Sequence, residues 1–118
     1  MANSRYILRL NALLREEISE LLRREVEDPE LQGLISITAV DTSTDLKLAR
    51  VYVSAFGDDE QVARIMKRLR KAARFFRREL AQRINLRHTP ELEFQLDPSI
   101  ARGARIMELL ASLGNEPS

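Results

Sequence analysis

A chain of 118 residues with 44% hydrophobic and 31% charged content has the size of one domain with one modest core, and with four Gly and four Pro it reads neither as disordered nor as a fibrous repeat. The absence of cysteine excludes a disulfide framework, a thiolate zinc site and a cysteine nucleophile, and implies a reducing compartment. The formal net charge of +1 hides a segregation: Glu16, Glu17, Glu20, Glu25, Glu27, Asp28 and Glu30 make the early part acidic, whereas the stretch 64–87 sets Arg64, Lys67, Arg68, Arg70, Lys71, Arg74, Arg77, Arg78, Arg83 and Arg87 against Glu79 alone.

In chain order, Ile7, Leu10, Leu14, Ile18, Leu21 and Leu22 recur at steps of three and four, which predicts an amphipathic helix capped by Asn3 or Ser4 and running to about Glu25. Asp28-Pro29 closes it, because the residue before proline is pushed out of helical space. Over 34–41, Ile35, Ile37 and Ala39 alternate with Ser36, Thr38 and Val40 as a half-buried strand requires. Residues 41–45 are turn chemistry, and a second strand over 48–56 places Ala49, Val51, Val53 and Ala55 on one face, predicting an antiparallel hairpin. Gly57-Asp58-Asp59-Glu60 puts acids at the positive end of the next helix, whose core stripe is Val62, Ile65, Met66, Leu69, Ala72 or Ala73, Phe76, Leu80 and Ile84.

A third strand follows, with Leu92, Phe94 and Leu96 alternating with Glu91, Glu93 and Gln95; its crossover from the second permits parallel pairing. Asp97-Pro98-Ser99 starts a last helix carrying Ile100, Ala104, Met107, Leu110 and Leu113 to Gly114. The expectation is one α+β domain over 1–114, with helices on one face of a three-stranded sheet and a frayed tail at 115–118. No segment is long and apolar enough to span a bilayer, and the N-terminal residues lack the apolar run of a signal peptide, so a cytoplasmic protein without a membrane partner is expected.

On a straight helix Arg64, Lys67, Arg68, Lys71, Arg74 and Arg78 lie opposite the apolar stripe. Exposed helical faces are often basic without consequence, but they normally intersperse Glu at i±4 to relieve repulsion, and here only Glu79 does so. A polyanion is therefore the expected partner, and arginine suits bidentate phosphate contacts and stacking on splayed bases. Phe75 projects among the arginines. Either it is a stacking platform for a base, or a bend near Ala72-Ala73-Arg74 changes the helix phase and turns it partly inward, the plainer reading.

The element order, with a break inside the long helical region, resembles the type II KH fold. Asp28-Pro29-Glu30-Leu31, Ser43-Thr44-Asp45-Leu46, the run 49–54, Phe75-Phe76-Arg77, the run 86–94, Asp97-Pro98-Ser99 and Gly103-Ala104-Arg105-Ile106, in this order, resemble the ribosome-binding factor A family over nearly the whole chain. That resemblance implies a monomeric bacterial assembly factor that binds free small (30S) ribosomal subunits and their ribosomal RNA. It would act during late maturation and 16S rRNA processing, and would be absent from complete ribosomes. It implies no catalysis, no cofactor, no metal and no small-molecule substrate. It also implies a kink of Ala-x-Gly form, whose matching positions are Ala72, Ala73 and Arg74. Arg74 departs from that form, and since arginine adopts positive φ poorly, the kink is expected to be shallower, with side-chain rather than backbone contact to RNA.

Other constellations are weaker. His88, the sole histidine, has no second member for a metal site or a dyad. Asp41 and Asp45 flank a turn, where aspartate serves the backbone. Glu16, Glu17, Glu20 and Glu25 beside Arg15, Arg23 and Arg24 read as a solvated face. The alternative function is a generic RNA-binding or protein-interaction KH-like module, the latter using exposed apolar residues around Phe56 and Phe75.

Overall fold

The structure is a computed structural model that describes residues 4–24, 35–98 and 110–111. Its elements run α1 (Ser4–Arg24), β1 (Ile35–Thr42), β2 (Leu48–Ala55), α2 (Asp59–Lys71), α3 (Ala73–Arg83) and β3 (Glu91–Leu96). The α+β, KH-like expectation holds, with sheet order β1-β2-β3. The hairpin β1–β2 is antiparallel, and the crossover through α2 and α3 returns β3 parallel to β2, with Val51 beside Phe94. Of the helix expected over 97–114, only 97, 98 and 110–111 are described; 98 and 110–111 are helical and Asp97 is not, while the Asp28-Pro29 stop and the tail at 115–118 lie outside the described residues.

One sheet face is covered. Ala49, Val51 and Val53 of β2 and Phe94 of β3 are buried against Leu14, Ile18 and Leu21 of α1 and Ile65, Leu69, Phe76 and Leu80 of α2 and α3. Phe76 meets Phe94 with ring centroids 5.4 Å apart, tying α3 to the sheet. The stripe read for the long helix is thus the buried one. Arg50, Tyr52 and Ser54 occupy the other face, where Arg50 Nε lies 3.7 Å from Glu93 Oε2.

β1 corrects the sequence reading. Ile37 pairs with Val53 but Ala39 pairs with Tyr52, so Thr38 is the extra residue of a bulge. The faces exchange beyond it: Ala39 is exposed, while Val40 and Thr42 are buried. Thr38 Oγ1 donates to Asp97 Oδ2 at 2.6 Å, linking the bulge to the end of β3. β2 also ends one residue earlier than expected, at Ala55, leaving Phe56 72% exposed.

Side chains from the helices engage both outer strands. Arg15 Nε of α1 donates to the Ile37 carbonyl of β1 at 3.2 Å, and Arg70 Nε of α2 donates to the Phe94 carbonyl of β3 at 3.3 Å. α2 begins with a reciprocal cap, in which the Gln61 N–H donates to Asp58 Oδ1 at 2.8 Å and the Asp58 N–H donates to Gln61 Oε1 at 2.9 Å. Gly57 precedes it at φ 140, and a Cβ there would stand 2.8 Å from Gln61 Oε1, so the cap and the glycine require each other.

Candidate nucleic-acid interface

Helical periodicity alone sends Ile65, Met66, Leu69, Phe76 and Leu80 inward and the basic side chains outward. All ten basic positions of 64–87 are exposed: Arg64, Lys67, Arg68, Arg70 and Lys71 on α2, Arg74, Arg77, Arg78 and Arg83 on α3, and Arg87 in the loop after it. They are not equivalent. Arg70 holds the Phe94 carbonyl, Arg77 Nε donates to the Thr89 carbonyl at 3.1 Å, and Arg83 Nη1 lies 3.5 Å from Glu17 Oε2 on α1. Arg64 and Arg68 also have partners. Lys67, Lys71, Arg74, Arg78 and Arg87 have no side-chain hydrogen bond or ion pair among the described residues.

The structure brings Arg70, Arg74 and Arg77 together. They line a groove of about 320 Å³ between the helical arm and β3, whose other walls include Ala73, Glu91 and Leu92. Two of these arginines are pinned by strand and loop carbonyls, which fixes the groove's shape, while Arg74 stands beside them unpinned. Guanidinium groups so placed can take phosphate oxygens in forked contacts.

The interruption that aligns the groove is a single residue. Ala72 has φ −85 and ψ 0, and its N–H reaches the carbonyls of Arg68 at 3.0 Å and Leu69 at 3.1 Å, while its own carbonyl accepts from the Phe76 N–H at 3.0 Å. Among the described non-glycine residues only Leu46 has a positive φ, so Arg74 sits in ordinary helical backbone, as a shallow kink requires. α3 starts with no side-chain cap and no acid in its first turn. Phe75 is half-buried against the core, with its ring centroid 5.7 Å from that of Phe76 in an edge contact. This is the inward reading.

A second concavity was not legible in the sequence. Tyr6 and Leu10 of α1, Leu46, Lys47 and Leu48 of the hairpin, and Arg77, Leu86, Arg87 and His88 after the bend line a cleft of about 640 Å³. These residues come from segments tens of positions apart, so no local spacing could have announced them. Asp45, also on its lining, accepts from Ser43 Oγ at 2.7 Å and from the Lys47 N–H at 3.0 Å. The Ser43 hydroxyl, and then the Lys47 amide, hold its carboxyl below the ordinary aspartate value. That is turn chemistry rather than half of a catalytic pair. On α1, Glu20 binds Arg24 at 2.7 Å and Arg23 at 2.8 Å, the i,i+4 and i,i+3 pairing expected of a solvated face, and the hydrogen bond from Arg23 is the main cause of its lowered pKa.

Comparison with known proteins agrees with this geometry. The family model described as ribosome-binding factor A matches residues 7–110. The chain is 46% identical over 104 residues to ribosome-binding factor A of Acetivibrio thermocellus, covering 88% of this chain and 85% of that protein. The crystal structure of ribosome-binding factor A from Thermus thermophilus superposes with a TM-score of 0.67 at 32% identity, covering 76% of this chain and 94% of that one. A homology model of the Thermus thermophilus factor, as fitted into the cryo-EM map of a 30S complex of ribosome-binding factor A, gives a TM-score of 0.59 at 33% identity, over 72% of this chain and 88% of that one. A parallel β2–β3 pair joined through a helix broken at Ala72, and a match that runs almost from end to end, place the chain in the ribosome-binding factor A family.

Proposed function

We propose that this chain is a non-catalytic, cytoplasmic assembly factor that binds free 30S subunits as a monomer during late maturation and 16S rRNA processing, and that it is absent from complete ribosomes. It needs no cofactor, metal or small-molecule substrate. Residues 1–114 act as one RNA-binding domain ahead of the tail at 115–118. The ten basic residues of 64–87 form its RNA face in two tiers. Arg64, Arg68, Arg70, Arg77 and Arg83, which have partners within the protein, set the shape of the surface, while Lys67, Lys71, Arg74, Arg78 and Arg87 meet phosphates.

The observation that carries this reading is the set of exposed cations on α2 and α3 without acidic partners among the described residues, beside a groove whose arginines are pre-positioned by main-chain carbonyls. Membership of the family, and the 30S complex of ribosome-binding factor A, support the choice of partner. Of the two residues named for the protein-interaction alternative, Phe56 is exposed and Phe75 is turned inward; Leu8 and Leu96 are exposed as well, on other elements.

Sedimentation with purified ribosomal particles tests the proposal. Wild-type protein is expected to pellet with free 30S subunits and not with complete ribosomes, and the fourfold variant Lys67→Glu, Lys71→Glu, Arg74→Glu, Arg78→Glu to remain in the supernatant. Equal pelleting of the two proteins would overturn the site. Failure of the wild type to pellet with 30S subunits at low salt would overturn the function.

A further inference from the structure

The larger cleft, at the N-terminal end of β3, is not part of the arginine groove, yet the two are continuous: Arg77 and Glu91 line both. Its composition differs from the groove's. Leu10, Leu46, Leu48 and Leu86 give it an apolar floor, and Tyr6, 45% exposed, and His88 add two rings at its wall. Lys47, Arg77 and Arg87 supply positive charge on its lining. Of the two acids there, Asp45 is already engaged by Ser43 and Lys47, and Glu91 offers an acceptor to the amino group of a ligand.

Leu46 makes this concavity more than a by-product of packing. Its φ of 64 lies in the left-handed region, where a branched side chain is strained. The turn imposes that conformation through bonds from Leu46 N–H to the Ser43 carbonyl at 2.9 Å, from Ser43 N–H to the Leu48 carbonyl at 2.8 Å, and from Leu48 N–H to Ser43 Oγ at 3.0 Å. Glycine or asparagine would fill the same backbone site with less strain, so it is the leucine side chain on the cleft that the strain supports.

We propose that this cleft receives an unpaired nucleobase of the RNA strand whose phosphates run along the arginine groove, the base lying on the leucine floor beside Tyr6 and His88 with Lys47 and Arg87 on the flanking phosphates. The inference rests on the RNA reading of α2 and α3 and adds a point of base contact to it. A volume of about 640 Å³ is that of a small-ligand cleft. Apolar floor, rings and cationic rim together suit a splayed base of single-stranded RNA, which stacks through its face and carries its charge on either side. An apolar protein segment would use the floor but leave the rim charges unanswered, and the continuity through Arg77 already points a bound strand toward the opening.

The test uses the full chain with methyl-labelled leucines and two single-stranded probes of equal charge, an adenosine heptamer and an abasic ribose-phosphate heptamer. The adenosine heptamer is expected to shift the methyl signals of Leu46, Leu48 and Leu86 and to bind about tenfold more tightly than the abasic one, the low end for base stacking. Tyr6→Ser with Leu46→Asn, the latter tolerant of left-handed backbone, should remove that advantage and leave abasic binding unchanged. Equal affinities, or unmoved leucine methyls in a wild-type complex that the fourfold glutamate variant abolishes, would overturn the cleft while the RNA face stands. Binding of neither probe to the wild type at low salt would overturn both. Both wild-type readouts are independent of whether the variants fold.

Discussion

Thr42 is a polar residue on the covered face of β1, and it is there because of Thr38. The bulge inserts one residue, and since strand side chains alternate with period two, one extra residue exchanges the faces of everything that follows. The reading of Ile35, Ile37 and Ala39 as inward held for Ile37 and failed at Ala39 for this reason. The bulge itself is held by partners remote in sequence, including Asp97, which lies 59 residues from Thr38, so the local pattern could not reveal it. At Thr42 the backbone N–H donates to Asn11 Oδ1 at 2.9 Å, but Oγ1 is buried without a partner among the described residues. Thr42→Val is therefore expected to raise stability by about 1 kcal/mol, and Asn11→Ala, which strands the amide, to lower it by about 1–2 kcal/mol. Urea denaturation measures both. A loss of stability in Thr42→Val would show that the hydroxyl is satisfied.

At the scale of elements, all three strands and the long helical region were legible within about a residue, because alternation and the 3.6-residue stripe are local signals. The break at Ala72 was legible from family resemblance and from the misfit of Phe75. What sequence could not supply was the division of labour among the arginines. Arg70, Arg77 and Arg83 look like their neighbours on a helical wheel and differ only in meeting Phe94, Thr89 and Glu17. The break also yields a stability test. With Arg74 in helical backbone, placing there the glycine that the Ala-x-Gly form implies relieves no strain and adds flexibility near the start of α3. Arg74→Gly is expected to cost up to about 1 kcal/mol, read as a lower Tm in thermal unfolding. A higher Tm would mean that position 74 prefers the left-handed conformation.

For the whole molecule, the basic arm meets α1 through Glu17 and Arg83, although α1 itself sets five arginines against Glu16, Glu17 and Glu20 and so is no acidic counterpart to the arm. Six cations read from the sequence as facing phosphates would imply a salt slope of about −4 for single strands. With only Lys67, Lys71, Arg74, Arg78 and Arg87 counted as uncommitted, the expected slope of log affinity against log salt is about −3.5. Titration of a single-stranded RNA over a range of KCl concentrations measures it, and a slope near zero would assign the face to an apolar protein partner instead. The guanidinium groups that grip β1 and β3 act on a different hazard. A three-stranded sheet has two flanks at which a foreign strand could join, and on each of them an arginine already occupies a carbonyl that such a strand would need. A chain adding to either flank must first displace that arginine, so these contacts also oppose the chain's assembly with copies of itself while no partner is bound.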